Sequence, residues 1–388
     1  MTISDHLEMI GVELRATWMQ TRKANGDIAQ RRVENTVRAW KTGKFMSLNM
    51  RPWSVNQYCL SKVFFRTHIV DMRVSDVTKI TSLVKSWIYA DKPEEMVMYR
   101  PSHRGGLGVI NVKLKALAGL IKTFLETAGN GIYRPSLYHS LLFRYQILED
   151  HSIPDQGIPP FYRKDFFNTI RTVYNEHDKN IMAMTERDWY SYLLEDSYIS
   201  GVGENGDKEY VQCRVERQNP GTDWDNSWRL ARITGLGPTN VSFLFKLLHQ
   251  TLPTQERVGR VKPNHSSTCK MLECQENTEE TLLHGLIECQ ANDGVGQQLI
   301  AGLRNVIPDL QGDSMLRLEL PLEEDLEFPV TFVLSTVLQT VWNLRQLGGR
   351  VRQYQVRSQL EAEINLLRET RFQASVSKIE ELAATIFI

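Results

Sequence analysis

The sequence is short of long apolar runs, of cysteine and of net charge. Its most apolar stretch, residues 328–347, is interrupted by polar residues such as Thr331, Ser335 and Asn343. It therefore predicts no membrane span, which needs about 20 predominantly apolar residues. The first fifteen residues include acids and no apolar core, and they predict no secretory leader. Five cysteines without such a leader are typical of an intracellular protein, in the reducing cytoplasm or nucleus.

Catalytic patterns are missing as well. No two aspartates are adjacent, and neither a pair of carboxylates nor a nucleophile beside a general base stands out. We therefore expect no enzymatic activity from this chain. A composition of 41% hydrophobic and 24% charged residues over 388 residues is that of an ordinary globular protein with two or three domains.

The zero net charge conceals an uneven distribution. The first 125 residues contain 20 Lys and Arg against 10 Asp and Glu, whereas the whole chain has 46 of each kind. A basic first third favours contact with a polyanion such as nucleic acid. A solvated helical surface that is simply rich in Lys and Arg would give the same count.

One segment has the spacing of metal ligands. Cys269, Cys274, His284 and Cys289 are separated by four, nine and four residues, and thiolates with an imidazole are a ligand set that Zn²⁺ prefers. Four protein ligands leave no position for water, so the sequence predicts a structural zinc site. The alternative is that the cysteines are ordinary intracellular thiols and that His284 lies on an apolar face. A disulfide is disfavoured in a reducing compartment.

The residues around His284 predict how the last two ligands meet. Asn277 and Glu280 have the pattern of a helix N-cap and its carboxylate partner, which predicts a short helix that carries His284. Cys289 lies five residues after His284, about 140° around an ideal helix. The helix must therefore end at Cys289 for both side chains to bind one ion.

Helical periodicity elsewhere predicts a mainly α fold with several helical subdomains and a small zinc-binding module. The predicted helices cover residues 31–41, 55–72, 77–89, 112–125, 137–148, 166–177, 186–196, 329–345, 357–371 and 377–386. A glycine-rich polar stretch near residues 200–222 predicts a domain boundary or a mobile loop. The predicted divisions are an N-terminal segment (1–29), a basic helical region (30–125), a helical connector (126–222), a zinc-binding region (223–310) and a C-terminal helical region (311–388).

A glycine-rich turn follows Arg100. Gly105, Gly106 and Gly108 permit a tight turn of the backbone, and Arg100 and Arg104 beside them are candidates to bind phosphate. The spacing matches neither of the common nucleotide-binding loops. An ordinary structural turn would contain the same residues.

Several stretches resemble, in the same order, the C-terminal part of the reverse transcriptases of non-LTR (LINE-type) retrotransposons. They are WK at 40–41 with MSLNMR at 46–51 and NQYCLSKVF at 56–64, LVKSWIY at 83–89 with KP at 92–93, RGGLG at 104–108 followed by VINVKL and Ala116, WRL at 228–230, FLFKLLH at 243–249, and LPT at 252–254 before Arg257. Each motif is short, and it is their shared order from residue 31 to residue 289 that carries the resemblance.

The resemblance implies that residues 30–125 form a thumb-like region that grips template–primer phosphates, and that the zinc module binds RNA or target DNA. Such contacts weaken steeply with salt. The candidate contacts are Lys41, Lys44, Arg51, Lys62, Arg66, Arg100 and Arg104. Trp53, Phe64, Trp224 and Trp228 are candidates to stack on bases, although each of them would also suit a buried core.

Two features depart from the family. The first cysteine pair is separated by four residues instead of the usual two, and the adjacent aspartates that hold Mg²⁺ in a polymerase palm are missing. The chain therefore resembles the part that follows the palm, and a separate polymerase domain would be its partner. A competing hypothesis is a helical scaffold or protein-interaction remnant without nucleic-acid affinity. The acidic second half, with Glu323, Glu324 and Asp325 in sequence, favours that alternative.

Overall fold

The fold is mainly α, as predicted. The computed structural model describes residues 6–9, 12–41, 46–48, 50–68, 70–88, 94–129, 139, 141–148, 164–176, 181–202, 208–262, 264–274 and 278–387. The chain divides into two compact units. The first consists of Met1–Met46, Arg51–Lys92 and Val109–Val211, and the second of Ser47–Met50, Pro93–Gly108 and Gln212–Ile388.

Helices account for almost all of the regular structure. In chain order they span Trp18–Lys41, Met50–Ser54, Val55–Leu60, Ser61–Thr67, Val74–Ile88, Glu95–Tyr99, Ser102–Arg104, Val112–Gly129, Arg144–Leu148, Lys164–Glu176, Glu186–Asp196, Arg214–Gln218, Trp224–Leu230, Pro238–Leu248, Gln255–Val261, His284–Glu288, Gln290–Asn292, Val295–Leu303, Gly312–Leu316, Glu324–Gln346, Gln353–Arg368, Gln373–Ser375 and Val376–Ile386. Within the described ranges, two antiparallel hairpins supply the strands, His6–Met9 with Val12–Arg15 and Ile199–Val202 with Lys208–Tyr210. Every helix in the described part of the chain is too short or too polar to span a membrane.

The first long helix begins at Trp18, well before the predicted start at residue 31. Its buried stripe recurs every four residues, and the upstream members Thr21 and Asn25 are polar. The Asn25 side-chain amide donates to Glu13 C=O and Thr21 C=O, and its oxygen accepts from the N–H of Glu13. A buried polar group is stable only when it is hydrogen-bonded, and the hairpin provides these bonds for Asn25. The early part of the helix therefore depends on a contact that apolar periodicity does not reveal.

The described residues near the predicted boundary at 200–222 include regular structure. Ile199–Val202 pairs with Lys208–Tyr210, and Arg214–Gln218 is helical. The chain passes from the first unit to the second between Val211 and Gln212. The predicted Asn277 cap lies outside the described residues.

Each unit has its own core. In the first unit, Phe124 makes edge-to-face contacts with Phe166 and Phe167, and Trp189 is fully buried in the same cluster. In the second unit, the Glu324–Gln346 helix is apolar on several sides and packs against the helices Pro238–Leu248, Gln353–Arg368 and Val376–Ile386. A helix that is hydrophobic all round is typical of a buried position.

Candidate metal centre and basic surface

The four predicted ligands converge in the second unit. The sulfurs of Cys269, Cys274 and Cys289 and a ring nitrogen of His284 all lie within 4.8 Å of one another. Cys269 Sγ is 3.8 Å from Cys289 Sγ, and Cys274 Sγ is 3.5 Å from His284 Nε2. A disulfide would need about 2.0 Å between sulfurs, and none of these three cysteines is in a disulfide. The cluster can hold one metal ion.

Short backbone pairings place the first two ligands. The Cys269 N–H donates to Thr278 C=O, and the Glu280 N–H donates to Ser267 C=O, both at 2.9 Å. Within the loop, the Cys274 N–H donates to Met271 C=O at 2.9 Å. The turn closed by this bond brings Cys274 back toward Cys269, so the four-residue spacing still permits both sulfurs to face the same point.

A wide helical turn places the other two ligands. Near the start of this turn the Thr281 hydroxyl accepts from the His284 N–H at 3.0 Å, whereas the predicted cap, Asn277, lies outside the described residues. At the other end, the Cys289 N–H donates to the C=O of His284, five residues earlier, and Cys289 is extended. The predicted end of the helix at Cys289 is thus confirmed. Such π-type turns occur frequently at functional sites.

A buried arginine that the sequence does not reveal lies against the ligands. Arg345, from the Glu324–Gln346 helix, donates to Cys269 Sγ at 3.3 Å, to Asn292 Oδ1 at 3.0 Å and to the Glu280 carboxylate. Glu280 also accepts from the N–H of Gln255. Burial disfavours the charged form of Arg345, but hydrogen bonds to Glu280, Cys289 and Cys269 raise its pKa above the ordinary value.

The charge of Arg345 suits a site built from three thiolates. Three thiolates around a divalent ion leave one negative charge in excess, and an N–H donor to a ligand sulfur both orients the ligand and compensates that charge. Arg345 therefore positions Cys269 and connects the ligand loop to the core of the second unit.

Replacing Arg345 by Met is expected to weaken metal affinity about 10- to 100-fold, the usual cost of losing such an outer partner. Competition with a chromophoric chelator measures this. Because the substitution also leaves Glu280 buried without its cation, the double variant R345M/E280Q should show the same weakening with less loss of stability. Arg350→Met is the matched control, since Arg350 is more exposed and pairs with Glu273. Unchanged affinity in R345M would refute the positioning role.

Three of the arginines that are predicted to contact phosphate have partners inside the fold. Arg66 is only 4% exposed and donates to Asn25 Oδ1 at 3.0 Å. Arg51 donates to the backbone carbonyl oxygens of Trp87 and Ile88 at the end of the Val74–Ile88 helix. Their guanidinium groups donate to acceptors that are buried or lie at a helix end. A charge count alone cannot distinguish such arginines from cations that face solvent.

Arg100 is the third of these arginines. It contacts both carboxylate oxygens of buried Glu216 at 2.8 Å, and Trp228 Nε1 donates to the same carboxylate at 3.1 Å. Burial would raise the pKa of Glu216, but the hydrogen bond and charge of Arg100, together with hydrogen bonds from the Cys213 N–H and Trp228, hold that pKa below its ordinary value. Arg100 is therefore the internal partner of an ionised buried carboxylate.

The glycine-rich turn is a packing element of the second unit. A Cβ on Gly105 would lie 2.4 Å from the Trp228 ring, and one on Gly106 would lie 1.8 Å from the backbone oxygen of Arg100. Trp228 stacks on His249, whose Nε2 is 2.8 Å from Gly105 O. Burial lowers the pKa of His249 to about 4, so the ring is neutral and can donate to that oxygen.

The other predicted contacts have different positions. Lys62 is exposed, and its Nζ is 3.4 Å from Thr36 Oγ1. Arg104 is half-buried beside the turn. Lys41 ends the first long helix, and Lys44 lies outside the described residues.

A basic face lies on the Trp18–Lys41 helix, and its residues are not among the predicted phosphate contacts. Lys23, Arg31 and Arg32 are exposed, and no ion pair involves them within the described part of the chain. The two acids of this helix are each paired, Asp27 with Arg73 at 2.9 Å and Glu34 with Arg38 at 2.7 Å. The available signal was the four-residue stripe of Ala29, Val33 and Val37, which places Arg31 and Arg32 away from the core.

No protein-family model matches the chain, and no curated protein matches it significantly.

Proposed function

We propose that this chain is a non-catalytic, nucleic-acid-binding portion of a LINE-type reverse transcriptase and that its metal is zinc. The observation that carries nucleic-acid binding is the basic face of the Trp18–Lys41 helix. Its acids are neutralised by arginines, whereas Lys23, Arg31 and Arg32 face solvent. Lys62 adds a cation beside Thr36 of the same helix. The proposal of this family rests on the short motifs between residues 31 and 289 and on their order along the chain.

A face of this kind suits phosphate because unpaired cations on a rigid helix neutralise a polyanion without first breaking internal ion pairs. Lys23 and Arg31 are eight residues apart, which corresponds to about 12 Å along the helix and about two turns. Their side chains are about 80° apart around the helix axis, and both are exposed. Arg51, Arg66 and Arg100 maintain the scaffold in this proposal and do not contact the ligand.

The donor distances support zinc. Zn–S bonds of about 2.3 Å and Zn–N bonds of about 2.0–2.1 Å at tetrahedral angles would place two sulfurs about 3.8 Å apart and a sulfur about 3.6 Å from the nitrogen. The corresponding distances are 3.8 Å for Cys269 to Cys289 and 3.5 Å for Cys274 to His284. Metal analysis of the chain, purified without chelators, is expected to give one zinc per chain. Iron, or no metal at all, would contradict the assignment.

Fluorescence anisotropy with labelled RNA–DNA hybrid, duplex DNA and hairpin RNA over about 50 to 200 mM salt tests nucleic-acid binding. The triple variant Lys23→Gln, Arg31→Gln and Arg32→Gln is expected to lose about tenfold or more in affinity at the lowest salt. Its salt slope should fall by about one unit per lost phosphate contact.

The matched control removes the same charge from the second unit, with Arg357→Gln, Arg368→Gln and Arg371→Gln. These three arginines are exposed, and exposed ion pairs contribute little to stability. Equal losses in both triple variants would show that only net charge matters and would exclude the helix as the binding face. Wild-type protein that binds none of the three nucleic acids at low salt would favour the helical scaffold hypothesis.

A further inference from the structure

A connected series of aromatic rings leads from the core of the first unit to solvent. Buried Trp87 lies 4.9 Å from Trp40 between ring centroids, and Trp40 lies 6.5 Å from Tyr58 in an edge-to-face arrangement. Tyr58 in turn lies 5.7 Å from Trp53. Tyr58 is 54% and Trp53 is 50% exposed. We call these two exposed rings the aromatic stripe.

The wide turn Val55–Leu60 places both rings on one side. Its hydrogen bonds join residues five apart instead of four, so Trp53 and Tyr58, which an ideal helix would separate by about 140°, come into contact. Val55 and Cys59 of the same segment are fully buried. The segment thus fixes one face in the core while it holds the aromatic stripe outward.

Positive charge borders the aromatic stripe. Lys62 follows Tyr58 by four residues, about one helical turn, and it is exposed. Its Nζ lies 3.4 Å from Thr36 Oγ1, and that hydroxyl donates to the C=O of Arg32. The stripe is therefore continuous with the basic face of the Trp18–Lys41 helix.

We infer that the aromatic stripe binds unpaired bases of single-stranded nucleic acid, while Lys62 and Arg32 contact its phosphates. This inference rests on the proposed function and specifies the form of its ligand. Bases present apolar faces beside an anionic backbone, which complements exposed aromatic rings next to cations. A duplex hides those faces within its own stack, so its contacts would be confined to the backbone cations.

The rigidity of the stripe supports this occupant. Contacts with Trp40 hold Tyr58, and Tyr58 contacts Trp53, so little side-chain freedom would be lost when a base stacks. A protein partner could also cover exposed aromatic residues, but the cations at the border favour a polyanion. A protein occupant is therefore an outcome of the test.

The experiment compares the full-length wild-type chain with W53A/Y58A on a labelled single-stranded RNA and on a duplex with the same strand, at one low salt concentration. Single-strand affinity is expected to fall about 10- to 100-fold, because stacking on one ring accounts for about a tenfold change or more. Duplex affinity should change less than about twofold, and the salt slope for the single strand should remain, because the cations are unchanged.

Matched variants keep the test decisive. Tyr354 is 70% exposed in the second unit, and Y354A should leave both affinities unchanged. W53F/Y58F retains two aromatic rings and should recover most of the single-strand affinity, which a merely unfolded W53A/Y58A could not explain. Equal losses for single strand and duplex, or no loss for either, would overturn the inference while nucleic-acid binding itself stands. A wild-type chain that binds neither would refute the proposed function as well.

Discussion

Replacing Cys274 and His284 together by Ala is expected to abolish metal binding and to destabilise the second unit strongly. Two ligands, Cys269 and Cys289, would remain, and two thiolates cannot complete a closed four-ligand site. Structural zinc sites contribute about 10–16 kcal/mol of apparent binding free energy, which appears as folding free energy of the segment that supplies the ligands. Metal content and thermal unfolding, with and without chelator, measure the two effects.

The remaining cysteines provide the control for this double variant. Cys59 and Cys213 are buried, and burial raises the pKa of each thiol to about 11. They stay protonated at neutral pH and are poor metal ligands. C59A/C213A should therefore retain one metal per chain. Retention of one metal per chain in C274A/H284A would exclude those ligands, and a wild-type melting curve that chelator leaves unchanged would exclude a structural role for the metal.

The ligands could be predicted because their geometry is mostly local. Both spacings of four residues close within a turn, and the end of the helix at Cys289 follows from the angle between residues five apart. Arg345 could not be predicted in the same way. It lies at the end of a buried apolar helix, and its burial is compatible with its charge only because the fold brings Cys269 and Glu280 to it. That partnership is a tertiary contact with no local signal.

The basic surface shows the same limit. Charge counts identified the first third of the chain as basic, but they could not show on which face of a helix each cation lies. Arg66 follows Val63 by three residues, and Val63 is fully buried, so helical spacing alone could have placed Arg66 toward the core. Lys23 gave no such signal, because the helix around it depends on the hydrogen bonds of Asn25 to the hairpin.

Replacing Gly105 by Ala is expected to destabilise the second unit by about 2–5 kcal/mol. Gly105 has φ +74°, and a Cβ there would lie 2.4 Å from the Trp228 ring. The left-handed conformation costs a non-glycine residue roughly 1–2 kcal/mol, and forcing a methyl group into a packed site costs about 1–3 kcal/mol more. Trp228 cannot easily move away, because it stacks between Trp224 and His249. Denaturant unfolding followed by tryptophan fluorescence measures the loss.

Gly108 is a matched control within the same turn. It has φ +65°, but nothing lies within 4 Å of the position that its Cβ would take. G108A should therefore show only the conformational cost of about 1–2 kcal/mol, and the difference between the two variants isolates the contact with Trp228. If the turn instead served to bind phosphate, both variants would fold with similar stability and G105A would lose nucleic-acid affinity. The packing role requires instead that G105A is less stable than G108A and that nucleic-acid affinity is kept. Arg100 is bound to Glu216 and the Gly105 oxygen to His249, so neither is available to phosphate.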